Sequence, residues 1–222
     1  MRGIRLSVLL AAACAAPLKE LPPLEAGAPP GDAAALATRS RDASSRTQHE
    51  PSADTRRALA QEAVDAGQRC QQAAPTSAAC DYALALALGV QARERPSTAT
   101  QGLPLMAELL RKANAQDARQ DSAGPARVLA LLLLRAPGWP LGPGDAEAGL
   151  TAARQAVGLF PDYPPNQLAL SEALLAAGEE KASQTAATRA LELARLAAAA
   201  HTPDADDWVR DAEALLAGKA PR

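Results

Sequence analysis

PGWPLGPGDAEAGLTAARQAVGLFPDYPPNQLALSEALLAAGEEKASQTAATRALELARLAAA, residues 137–199, is a proline–glycine loop followed by three segments of helical periodicity. Asp145 stands where an N-cap belongs, and the helix it opens runs through Ala156 to Leu159. Phe160-Pro161-Asp162-Tyr163-Pro164-Pro165 stops that helix and starts the next, which carries Leu168, Leu170, Leu174 and Leu175. Gly178 suits the left-handed residue after a helix C-terminus. Ala186, Ala190, Leu193 and Ala197 then recur at i, i+4, i+7 and i+11 on one helix face. Helix, short turn, helix, short turn is the pattern of stacked antiparallel hairpins.

The same punctuation extends in both directions. Leu59, Ala63, Ala66, Cys70 and Ala73 form one helical face, with Ser52 or Asp54 as its N-cap. Pro75 breaks that helix, Ser77 caps the next, and Arg93-Glu94-Arg95-Pro96 closes it. A further helix is predicted to start near Pro104, and another behind a Ser122 cap with Pro125 in its first turn. Val128 to Leu134 is apolar all round, so that helix is expected to be covered on both sides. Thr202-Pro203-Asp204 opens a last helix with Trp208, Ala212, Leu215 and Leu216 on one face. Hydrophobic residues make up 48% of the chain but aromatics only 2%, so alanine and leucine carry the core and strands are disfavoured. The expectation is an all-α domain over 53–222, a right-handed stack of antiparallel helix hairpins with about eight helices.

Cys70 falls in the last turn before the Pro75 break and Cys80 in the first turn after it. In an antiparallel pair those turns share a height, so either a disulfide or two buried thiols fits. An exported chain favours the disulfide.

Arg2 and Arg5 precede the apolar run Leu6 to Ala13, which is too short for the ~20 residues that span a bilayer. Residues 1–13 therefore read as an export signal. Leu10-Ala11-Ala12-Ala13-Cys14 resembles the bacterial lipobox, which implies a lipidated Cys14; cleavage by ordinary signal peptidase is the other reading. The resemblance departs at Ala11, where the family usually has Leu. Residues 14–52 are rich in Pro, Ala, Gly and Ser and are expected to form a disordered tether.

Residues 164–195 resemble a tetratricopeptide repeat, whose period is about 34 residues. Leu170, Ser171 and Leu174 fill first-helix slots, Gly178 the turn and Ala190 the second-helix slot. Over residues 55–218 the order of features is similar to the T-component of TRAP transporters (the TatT family). Those features are the cysteine hairpin, the loop Ala136-Pro137-Gly138-Trp139-Pro140-Leu141-Gly142, Pro161-Asp162-Tyr163, and Asn166 with Leu168 and Leu170. The resemblance implies a lipid-anchored helical-repeat protein. It also implies an internal cleft for a small apolar ligand and a periplasmic solute-binding subunit as partner. Ala15, which follows Cys14, lacks the acidic residue that keeps enteric lipoproteins at the inner membrane, so a lipidated Cys14 points to the periplasmic face of the outer membrane.

A net charge of −2 with mixed signs excludes a nucleic-acid footprint. Walker, HExxH, GxSxG and CxxC motifs are missing from the sequence, and its two histidines, His49 and His201, lie in the tether and a turn. The sequence therefore reads as a binding protein, not an enzyme, and calls for no metal or cofactor. Tyr82, Trp139, Tyr163 and Asn166 are the candidate ligand contacts. Trp139, Tyr163 and Asn166 staple the Trp139 loop to the stack, or Trp139 and Tyr163 face a cavity with an apolar wall and polar rim; Tyr82 either joins that cavity or belongs to the core. A scaffold that grips a peptide or protein of an envelope assembly is the alternative function, and self-association stays open.

Overall fold

The computed structural model describes residues 30–218. Its helices are α1 (Pro30–His49), α2 (Ala53–Ala73), α3 (Ala78–Glu94), α4 (Ala99–Gln116), α5 (Gly124–Arg135), α6 (Ala146–Leu159), α7 (Pro164–Ala176), α8 (Glu180–Ala199) and α9 (Ala205–Leu216). Among the described residues there is no strand; Gly138 and Gly144 form one isolated bridge. Each helix packs on the next, and α3 on α1, α5 on α7 and α7 on α9 make the second layer of contacts. The molecule is an all-α stack of helical hairpins.

The sequence punctuation works as read in most turns. The Ser52 side chain accepts from the Thr55 N–H, that of Ser77 from Cys80, and that of Asp145 from Ala148, each meeting an N–H that the helix cannot bond itself. Gly178 takes the left-handed conformation, φ +77°. Leu129, Ala130, Leu132 and Leu133 are buried, as expected of a central α5.

Three expectations need correction. Residues 30–49 are not a tether: α1 is a docked helix, so the described residues hold nine helices and the folded part begins some twenty residues earlier. Its buried face is Ala33, Ala37, Ser40, Ala43, Ser44 and Thr47, at helical spacing, with half-buried Leu36 at its edge as the one large apolar side chain. Small residues let α1 lie close on α2 and α3, and its polar atoms are used. Ser40 Oγ donates to the Ala63 carbonyl at 2.8 Å, and Arg93 reaches Thr47 Oγ1 at 2.9 Å. Secondly, α4 starts at Ala99 through a 3₁₀ turn, Pro96–Thr98, so Pro104 lies inside the helix rather than at its start. Thirdly, Ser122 caps nothing. Asp121, Ser122 and Ala123 take φ of 50°, 53° and 65°, a left-handed turn that delivers the chain into α5. Residues 1–13 and Cys14 lie outside the described residues.

The chain alternates between two ends of the stack. At one end the α2–α3 turn, the end of α4 and the start of α5 meet, since Lys112 bonds the Pro75 carbonyl and Tyr82 bonds Asp121. The α1 start belongs to this end, because the Ala33 carbonyl sits 3.0 Å from Cys70 Sγ. The α5–α6 and α7–α8 turns therefore lie at the other end.

Candidate functional site

Three of the four candidate contacts converge, around a residue the sequence reading passed over. Asn166, in the first turn of α7, is fully buried. Its amide nitrogen donates to the carbonyls of Ser122, Ala156 and Phe160, each at 3.1 Å, and its oxygen accepts from Arg127 at 3.1 Å. One amide thus ties the α5 entry to the α6–α7 turn. Arg127 itself donates to the Asp121 and Ser122 carbonyls, both at 3.2 Å, and to Asp121 Oδ2 at 3.0 Å. Its guanidinium lies 5.0 Å from the Tyr163 ring centroid, and Tyr163 meets Trp208 of α9 edge to face at 5.7 Å. Tyr82, buried in α3, closes the group with a 2.6 Å bond to Asp121 Oδ2.

A left-handed run of non-glycine residues costs of order 1–3 kcal/mol per residue, and it persists only where its surroundings over-determine it. Here Arg127, Asn166 and Tyr82 supply that constraint, spanning four helices and the turn. Gly124 is required for the fit: a Cβ there would lie 2.4 Å from Tyr82 Oη and 2.8 Å from Asp121 Oδ2. Burial, followed by the Asp121 charge, holds the Tyr82 phenol well above its ordinary pKa. Burial also raises Tyr163. Both stay protonated, so they act as donors and ring faces. Tyr82 and Asn166 therefore line no bore; their polar atoms are spent inside the protein.

Trp139 goes elsewhere. It is 90% exposed at the tip of the α5–α6 loop, and Leu141 beside it is 76% exposed. It neither staples the loop nor shares a cavity with Tyr163. The loop is held by its own backbone, from Leu141 and Gly142 N–H to the Gly138 carbonyl and from Gly144 N–H to that of Pro137. The Trp139–Pro140 peptide is cis.

Cys70 and Cys80 form a disulfide with Cα atoms 5.2 Å apart. Next to it Asp81 is fully buried. It accepts from Gln71 at 3.0 Å, Gln116 at 3.3 Å and Lys112, whose Nζ is 3.2 Å from Oδ2. Lys112 thus reaches from α4 to the α2–α3 turn. Among the described residues no group of three or more His, Cys, Asp or Glu side chains could hold a metal, and no helix is long and apolar enough to cross a membrane.

Two shallow grooves mark the surface. One, about 580 Å³, runs over α1 and α2 between Ala35, Arg39, Ala43 and Glu62. The other, about 430 Å³, follows α8 and is lined by Lys181, Gln184, Thr185, Thr188, Arg189 and Glu192.

The sequence reading missed Arg127, Asp121 and Trp208 as partners. One signal for Arg127 was present: a lone cation at the head of an all-apolar helix needs buried acceptors. The fold and the staple together define a helical-hairpin stack with a locked central turn. No family model matches the chain, and no curated protein matches it.

Proposed function

We propose that this chain is a membrane-tethered scaffold, a non-catalytic stack of helical hairpins that binds a protein of the cell envelope and is held there by a lipidated Cys14. The α8 groove carries the reading. It is open and lined by Lys181, Gln184, Thr185, Thr188, Arg189 and Glu192, the kind of surface that suits an extended peptide or a partner's polar rim. The internal use of Tyr82 and Asn166 favours this over a small apolar ligand held inside the stack. The similarity to TRAP T-components supports a periplasmic solute-binding subunit as the partner.

Native mass spectrometry of the detergent-extracted protein tests the choice. The chain with its covalent Cys14 lipid, and no further noncovalent apolar mass, is expected; a stoichiometric noncovalent apolar mass overturns the scaffold in favour of a ligand carrier. Cys14→Ser is expected to release the chain from membranes into the soluble fraction. A variant that stays membrane-bound removes the anchor.

A further inference from the structure

The α5–α6 loop presents more apolar surface than a solvated turn needs. Pro137 through Leu141 are all exposed, and no residue from Ala136 to Gly144 carries a charge. Large apolar side chains left in water on a structured loop mark an interaction site. The loop is also ordered before any partner arrives. Besides the bonds within it, the Asp145 N–H donates to the Leu133 carbonyl at 2.9 Å, closing its base. A Cβ on Gly144 would lie 2.2 Å from the Ala136 carbonyl, so the base admits only glycine without moving. A rigid tip loses little entropy on docking, and a tryptophan presented this way is the usual energetic centre of a protein interface.

Two further exposed leucines lie at the same end. Leu175 is in the last turn of α7 and Leu216 ends α9. Because α5 packs on α7 and α7 on α9, and all three end there, these residues share that end of the stack with Trp139 and Leu141.

The surrounding charge selects the occupant. Asp145 and Glu147 stand exposed in the first turn of α6 directly after the loop. Arg135, at the loop's other base, is already paired with Glu172 at 2.6 Å. The tip is therefore apolar with an acidic flank, which disfavours an anionic lipid surface and favours a pocket rimmed by Lys or Arg. Position agrees. The chain enters α1 at the disulfide end, and α2, with 21 residues, spans about 30 Å to the opposite end. On the tethered reading above, the tip faces away from the membrane.

We infer that the Trp139–Leu141 tip is the docking point for a partner protein, which receives the indole in an apolar pocket with a basic rim. This rests on the scaffold reading and specifies where and how the partner binds.

The test places the photo-crosslinker p-benzoylphenylalanine at position 139 of the full chain in the cells that make it. Position 196 serves as an exposed apolar control at the other end of the stack, and position 189 as a probe of the α8 groove. Residue 139 is expected to give a protein adduct at least tenfold above residue 196. Peptide mapping is expected to place the link among apolar residues of the partner bordered by Lys or Arg. Leu141→Asp is expected to lower the adduct tenfold, and separately Asp145→Asn with Glu147→Gln, which removes the acidic flank but keeps the α6 cap, is expected to lower it several-fold, while circular dichroism stays unchanged. Adducts with lipid, with a second copy of this chain, or with a partner surface lacking basic residues overturn the inference. An adduct at 189 but not at 139 overturns the tip and leaves the scaffold; none at either position overturns both.

Discussion

Arg127 donates to the amide oxygen of Asn166 at 3.1 Å, with both side chains buried, and through this contact α5 and α7 share one hydrogen-bond network with the strained turn at 121–123. Four acceptors converge on the guanidinium, in directions that only its planar fork can serve. Arg127→Met is expected to cost about 3 kcal/mol in urea unfolding. This is the lower end for breaking a buried pair, since Asp121 keeps 43% of its side chain in solvent. Arg127→Lys is expected to recover less than half of that loss. Full recovery by lysine would show that charge alone, not the fork, holds the turn.

The disulfide joins α2 to α3 where the N-terminal part of α1 rests on it, with Ala33, Ala37, Cys70, Cys80 and Ala83 in one cluster. The bridge closes a short loop, so Cys70→Ala with Cys80→Ala is expected to cost about 2–3 kcal/mol. The effect is local as well: amide exchange of residues 33–37 is expected to rise more than that of α7. Uniform exchange changes across the stack would contradict the local coupling.

Much of the fold was legible because turns announce themselves. Ser52, Ser77, Asp145, Pro164 and Gly178 each carry a specific backbone demand, and each sits where that demand is met. Helix α1 was not legible for a matching reason. Its buried stripe is alanine, serine and threonine, which by composition alone looks like a solvated tail, and only the facing surface of α2 and α3 gives it meaning. The site was half legible. Tyr82, Tyr163 and Asn166 drew notice as rare side chains, but their role depends on Asp121 and Arg127, brought in by a left-handed turn that no glycine or asparagine signalled. Trp139 was singled out for its rarity too, yet an apolar residue's exposure is a tertiary property.

Ala37 and Ser40 are 2% and 0% exposed where α1 meets its neighbours. Enlarging either to leucine forces the helices apart, so each change is expected to cost about 1–3 kcal/mol. Leucine at exposed Arg41 is expected to change stability by less than about 0.5 kcal/mol. Thermal and urea unfolding of the three variants checks this. Silent Ala37→Leu and Ser40→Leu variants would return residues 30–49 to the role of a tether.

Glu94 supplies a pH dependence. Burial pushes its carboxyl up, but hydrogen bonds from Arg56 at 2.9 Å and Arg93 at 3.0 Å, with their charges, outweigh it and hold the pKa below the ordinary glutamate value. A depressed folded pKa means the contribution is full above the unfolded value and fades as pH falls through the folded one. Arg93 is half-exposed, so screening keeps the contribution at about 1 kcal/mol or less. Glu94→Gln is expected to be less stable than wild type at pH 7, and the gap is expected to close between roughly pH 5 and pH 3. A gap that widens on acidification would reverse the assignment.

Tyr82 and Gly124 give the sharpest test of the staple, because they meet at the tyrosine hydroxyl and the ring carbon that bears it. Tyr82→Phe removes the hydroxyl that bonds Asp121 and is expected to cost about 1–2 kcal/mol, since Asp121 keeps Arg127 and solvent. Gly124→Ala places its Cβ 2.4 Å from that same hydroxyl and 2.8 Å from the ring carbon bearing it, so the tyrosine must shift and its bond must break. Removing the hydroxyl first takes away the nearer clash and the bond that the alanine would have broken. The two losses are therefore expected to overlap, with the double variant at least 0.5 kcal/mol more stable than the sum of the singles predicts. Strict additivity in urea unfolding would mean that Tyr82 and Gly124 act through separate contacts, and the turn at 121–123 would then owe its conformation to Arg127 and Asn166 alone.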